Sequence, residues 1–86
     1  MQNAGFEVYP NPNNGAFTLS FNAEKASAYN LKVFDILGNA VYNDQIQAVI
    51  GENTVDIDLG KTAQGMYQLS IQNDEGETRT LRLVIE

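Results

Sequence analysis

Apolar residues recur at every second position through most of this chain and almost nowhere at the spacing of a helix. Phe17, Leu19 and Phe21 alternate with Thr18 and Ser20, and Tyr29, Leu31 and Val33 alternate with Asn30 and Lys32. Val55, Ile57 and Leu59 alternate with Asp56 and Asp58, and Tyr67, Leu69 and Ile71 with Gln68, Ser70 and Gln72. A fifth run, Leu81, Leu83 and Ile85, has a mixed second face of Thr80, Arg82 and Val84. Shorter candidate strands are Phe6 to Tyr9, Asn39 to Tyr42 and Gln45 to Ile50. Side chains in a strand point to opposite faces in turn, so each run reads as a strand with one face in a core.

Turn formers separate these runs. Pro10-Asn11-Pro12-Asn13-Asn14-Gly15 is the densest cluster, followed by Leu37-Gly38-Asn39, Gly51-Glu52-Asn53 and Asn73-Asp74-Glu75-Gly76-Glu77. Proline fixes φ, while asparagine and glycine tolerate positive φ. The last cluster lies between two alternating runs and is expected to turn a hairpin. Asn22 to Ala28 is alanine-rich but too short for more than a loop or a single helical turn. About seven short strands at roughly ten-residue spacing predict an antiparallel Greek-key β-sandwich of the immunoglobulin-like or fibronectin-like kind.

Length and composition narrow the function. A chain of 86 residues holds one domain. Residues 1–86 are taken as that single domain, with residues 1–5 expected to be a linker or expression remnant of a longer protein. Cysteine and histidine are both absent. Disulfides, thiolate or imidazole metal sites, and Ser-His-Asp or Cys-His catalysis go with them. No catalytic residue, metal or cofactor is expected. The formal charge is −6, and the five cations (Lys25, Lys32, Lys61, Arg79, Arg82) are dispersed, which argues against nucleic acid. No apolar run approaches the roughly 18 residues of a membrane span, and the N-terminus lacks the basic and apolar regions of a signal peptide.

Several constellations have a chemical and a plain reading. Asp56 and Asp58 share a strand face about 6.6 Å apart, a spacing open to a glycosidase pair but more simply a solvated acidic face. Asp74, Glu75 and Glu77 offer oxygen ligands for calcium, yet a hairpin tip is ordinarily charged. Asp35 ends an apolar strand before Ile36-Leu37-Gly38 and is expected to accept hydrogen bonds from turn amides. Tyr9, Tyr29, Tyr42 and Tyr67 would make a sugar-stacking platform only if coplanar and exposed; three of them fall on core-phase positions.

Taken in order, the motifs resemble a known family. Phe6-Glu7-Val8-Tyr9-Pro10-Asn11-Pro12-Asn13-Asn14-Gly15 is similar to the opening of the type A C-terminal sorting domains of the type IX secretion system. Leu31-Lys32-Val33-Phe34-Asp35-Ile36-Leu37-Gly38 resembles that family's strand ending in Asp-x-x-Gly. Ala63-Gln64-Gly65-Met66-Tyr67-Gln68-Leu69-Ser70-Ile71 resembles its glycine-then-aromatic strand, and Leu81-Arg82-Leu83-Val84-Ile85-Glu86 its terminal strand. Asn39 stands where arginine usually follows the central glycine, and Arg82 is the only basic residue in the closing run.

The resemblance implies function by address. Such domains close large secreted enzymes and adhesins of Bacteroidetes-type bacteria and carry them from the periplasm across the outer membrane to the surface or the medium. In many members a sortase-like protease then removes the domain and anchors or releases the cargo. The partners implied are the secretion machinery, that protease and a covalently linked upstream cargo. The motif residues expected to carry recognition are Pro10, Asn11, Pro12, Gly15, Asp35, Gly38, Gly65, Tyr67, Arg82, Leu83, Val84 and Ile85. The terminal strand Thr78 to Glu86 is expected to offer a free edge to a receptor strand. From the sandwich alone, an extracellular fibronectin-like adhesion domain or carbohydrate-binding module stays open, because fold does not fix function.

Overall fold

A computed structural model describes residues 5–86. Expectations for residues 1–4 lie outside the described residues; Gly5 sits in a turn. Seven strands follow one another: β1 (Phe6–Tyr9), β2 (Ala16–Ala23), β3 (Ser27–Phe34), β4 (Ala40–Ala48), β5 (Gly51–Asp58), β6 (Gly65–Asn73) and β7 (Thr78–Ile85). They form two antiparallel sheets with strand orders β1-β2-β5 and β4-β3-β6-β7. This is the expected immunoglobulin-like sandwich.

The period-two runs explain the core. Phe17, Leu19, Phe21 and Ala23 of β2 turn inward with Ile57 of β5. They meet Leu31 and Val33 of β3, Tyr67, Leu69 and Ile71 of β6, and Leu83 and Ile85 of β7. Leu19, Leu31, Val33, Leu69 and Leu83 are wholly removed from solvent. Burying each such side chain favours folding by about 1.5–3 kcal/mol. That driving force lets a chain without disulfides hold its shape. At one end, Phe6 stacks on Phe21 at 5.2 Å and Phe21 leans on Tyr29 at 5.1 Å, an aromatic tie between the sheets.

Two local expectations change. Residues 40–42 and 45–48 of two separate candidates belong to one strand, β4, which continues through Asn43 and Asp44, while Asn39, Val49 and Ile50 lie outside it. It pairs only with β3, and such an edge tolerates the polar side chain of Asp44 opposite buried Leu31. Gly51-Glu52-Asn53 is not a turn but the start of β5. The chain changes sheets just before it, where the Asn53 side chain accepts from Val49 N–H and donates to the Val49 and Gly51 carbonyls. Asn22 to Ala28 contains no helical turn; it is the end of β2, a bend and the start of β3.

The two ends of the sandwich differ in content. At one pole lie the β3–β4 hairpin, the start of β6 and the end of β7, since Phe34 pairs with Gln68, Gln68 with Arg82 and Gly65 with Ile85. The start of β2 and the end of β5 join them there, through Ala16 opposite Asp58 and through Leu59 N–H donating to the Gly15 carbonyl. At the other pole are the bends at 24–26 and 49–50 and the hairpin at 74–77. The described chain enters β1 at that second pole, with Phe6 opposite Phe21 near the far end of β2. The molecule measures 35 × 22 × 22 Å, so the poles stand far apart.

Candidate functional site

The first motif forms a clamp between the sheets. After β1, Pro10 to Gly15 crosses from the three-stranded sheet to the open side of β7. The Asn13 N–H donates to the Val84 carbonyl at 3.0 Å, and the Glu86 N–H donates to the Asn13 carbonyl at 2.8 Å. Asn13 and Ile85 form the lone parallel bridge recorded among the described residues. Asn11 adds its side chain, Nδ2 donating to the Arg82 carbonyl at 2.9 Å and Oδ1 accepting from Val84 N–H at 3.0 Å. Both X–Pro bonds in this segment are cis. The terminal strand is therefore not a free edge from Arg82 to Glu86, contrary to expectation. The Arg82 carbonyl, the Val84 N–H and carbonyl and the Glu86 N–H already have partners.

Asn13 holds the clamp's own shape. It is buried, and its side chain accepts from Gly15 N–H at 2.8 Å and donates to the Pro10 carbonyl at 3.0 Å. A buried amide with its bonds made is stable; one left unpaired is costly.

The second motif presents an apolar tip on a fixed turn. The Asp35 Oδ1 accepts from the N–H groups of Leu37 and Asn39, both at 2.9 Å, as expected of a turn aspartate. The Asn39 side chain donates to Asp35 Oδ2 at 3.3 Å, so the residue in the place of the family's usual arginine serves the turn directly. Bonds from Asn39 and then Leu37 and Gly38 favour the charged carboxylate and hold the Asp35 pKa below its ordinary value. Gly38, at φ +87, closes the turn in a conformation that other residues rarely adopt. Ile36 and Leu37 at its tip are each 81% exposed.

The third motif opens β6 beside that tip. Gly65 begins the strand, Met66 is exposed, and Tyr67 is buried with its hydroxyl donating to the Ala63 carbonyl at 2.7 Å. That bond is the tyrosine corner of immunoglobulin-like sandwiches. On the outer face of the sheet, Phe34, Gln68 and Arg82 lie side by side across three strands. With Asp35, Ile36, Gly38, Met66 and Tyr67 they line a shallow cleft of about 400 Å³. All the motifs thus meet at one pole: Pro10, Asn11, Pro12 and Gly15 in the clamp, Asp35 and Gly38 in the turn, Gly65 and Tyr67 at the corner, Arg82 and Val84 on the terminal strand. Leu83 and Ile85 are buried beneath, where they carry packing rather than surface contact.

The other candidates take their plain readings. Asp56 accepts from the Thr18 hydroxyl at 2.9 Å and Asp58 from Gly60 N–H at 2.8 Å, both on the exposed face. Glu75 pairs with Lys25 at 2.9 Å across exposed surface, a contact worth little to stability. Among the described residues no group of acidic side chains gathers to hold a metal. The four tyrosines make no common platform, since Tyr67 is buried and Tyr9 exposed. A larger cleft of about 740 Å³ lies at the opposite pole, between Phe6, Tyr29, Lys25, Glu75 and Arg79. It contains none of the residues expected to carry recognition. No helix among the described residues is long and apolar enough to cross a membrane.

The motifs of this fibronectin-like sandwich converge on one pole, and comparison with known proteins places the chain in a family. Residues 7–86 match the secretion system C-terminal sorting domain family, and the chain belongs to that family. It is a sorting signal of the type IX secretion system, an address for export to the cell surface or beyond. It is also similar to the ulvan lyase NLR42 of Nonlabens ulvanivorans, with 29% identity over 85 residues. The match takes in 98% of this chain but spans only 15% of that relative's length.

Proposed function

We propose that this domain rides on an upstream cargo protein and is read by the type IX machinery at the pole where its motifs meet. The cargo joins through the chain preceding Phe6, at the opposite pole. The domain then leads the cargo from the periplasm across the outer membrane, where a sortase-like protease removes it and the cargo is anchored or released. The domain itself catalyses nothing. The observation that carries this reading is the separation of the poles: the motif residues lie at one end of a 35 Å molecule and the described chain enters at the other. A receptor can therefore hold the motif pole without meeting the cargo. The much longer lyase relative supports a cargo of the enzyme class.

Deleting Leu81 to Glu86 is a poor test, because it removes buried Leu83 and Ile85 and so unfolds the sandwich as well. Exposed apolar residues at the two poles separate recognition from folding. Ile36→Asp with Leu37→Asp changes the motif pole; Val49→Asp with Ile50→Asp changes the other, where those side chains are 58% and 71% exposed. Both pairs are expected to melt near the parent temperature, as surface changes do. Fused to a reporter in a host with the system, the first pair should strand the reporter in the periplasm and the second should not. Equal secretion of both would refute reading at this pole.

A further inference from the structure

Four strand edges bound the two sheets, and three of them carry evident protection. β1 is only four residues long, β5 carries Glu52, Asp56 and Asp58, and the end of β7 lies under the clamp. Short strands, charges and covering loops are ordinary ways of blunting an edge. β4 is the exception. It is nine residues long, pairs with β3 alone among the described residues, and has a single charged side chain, Asp44, at its middle position. Asp44 stands opposite buried Leu31, so it points toward the core side of the sheet, between Tyr42 and Ile46 on the same face. Its Oδ1 accepts from Gln45 N–H at 2.8 Å, and its Oδ2 accepts from the Tyr42 hydroxyl at 3.2 Å. The Gln45 N–H therefore faces the open edge rather than β3. Alternation along the strand puts the peptide groups of Asn43 and Gln47 there too.

We propose that Asp44 keeps this edge closed to a second copy of the same chain. Without it, β4 is built to pair with itself. Two copies related by a two-fold axis through residue 44 would set Asn43 against Gln45, exchanging both backbone hydrogen bonds, and Tyr42 against Ile46. In that register Asp44 meets Asp44 at the axis. They form a non-hydrogen-bonded pair, the closest kind in an antiparallel ladder, with Cα atoms about 4.5 Å apart. Like charges so placed oppose pairing. Sliding the strands by two residues either way sets each carboxylate against Tyr42 or Ile46, where it loses water without gaining a partner. The same carboxylate also holds the Gln45 N–H, the central donor that a second copy would need.

Sedimentation equilibrium on the full chain tests it. Position 44 is exposed, so substitutions there are expected to melt near the parent temperature. The parent should be monomeric, and Asp44→Val should self-associate at least roughly ten-fold more tightly. Asp44→Lys keeps like charges at the axis and should stay monomeric. An equimolar mixture of Asp44→Lys with the parent brings opposite charges to the axis and should form a heterodimer that salt weakens. In the Asp44→Val dimer, the Asn43 and Gln45 amides should exchange with deuterium at least roughly ten-fold more slowly than in the same variant diluted to monomer. A dimeric parent, a monomeric Asp44→Val, or a dimer without that protection overturns the proposal. So does a mixture that stays monomeric. Should Asp44→Val precipitate, the mixture of Asp44→Lys with the parent decides.

Discussion

Gly15 lies so close to Gly60 that a β-carbon on Gly15 would stand 3.0 Å from the Gly60 carbonyl oxygen. The contact locks the clamp to the end of β5, where Leu59 N–H donates to the Gly15 carbonyl at 2.8 Å. Gly15 also has φ +109, a conformation closed to other residues without strain. Both facts tie the first motif to architecture.

Gly15→Val is therefore expected to destabilise the domain by about 2–3 kcal/mol, from backbone strain and a displaced carbonyl. In a domain of this size that lowers the melting temperature by roughly 10 °C or more. Calorimetry checks it; a variant melting with the parent would remove the structural role assigned here to Gly15.

Tyr67→Phe keeps the ring in the core and deletes only the bond from the hydroxyl to the Ala63 carbonyl. The expected cost is about 1–2 kcal/mol, from the lost bond and a half-buried carbonyl left without it. Urea unfolding should show a lower midpoint at an unchanged slope. An unchanged midpoint would mean that the corner is held by packing alone.

The Asp35 turn carries a pH signature. A carboxylate whose folded pKa lies below its unfolded value stabilises the fold fully above the unfolded pKa, about 3.9. The contribution fades as pH falls through the lower folded value. The amides of Leu37 and Asn39, which donate to that carboxylate, should keep their chemical shifts down to about pH 4 and move together only below it. Movement between pH 5 and 7 would contradict the assignment. Asp35→Ala should abolish the acid transition and free the Ile36–Leu37 tip.

Much of this fold was legible from alternation alone, because residues such as Leu19, Leu31 and Leu69 sit where period two puts them, facing inward. The misreadings share a cause. Asn43-Asp44 resembled a break, and Gly51-Glu52-Asn53 a turn, because local composition does not reveal whether a strand lies at an edge or where the chain changes sheets. The Asp35 turn was readable because all of its bonds fall within four residues. The clamp was not: Asn11 meets Arg82 and Val84 across separations of 71 and 73 residues, and no local pattern encodes such a contact. The order of the motifs pointed to the family; their meeting at one pole appears only in three dimensions.

The most direct measurement follows a folded reporter joined upstream of this chain, expressed in matched hosts with and without a working type IX translocon. The account requires reporter at the surface or in the medium of the first host and in the periplasm of the second. Equal export from both, or retention in both while the unfused system works normally, would contradict it.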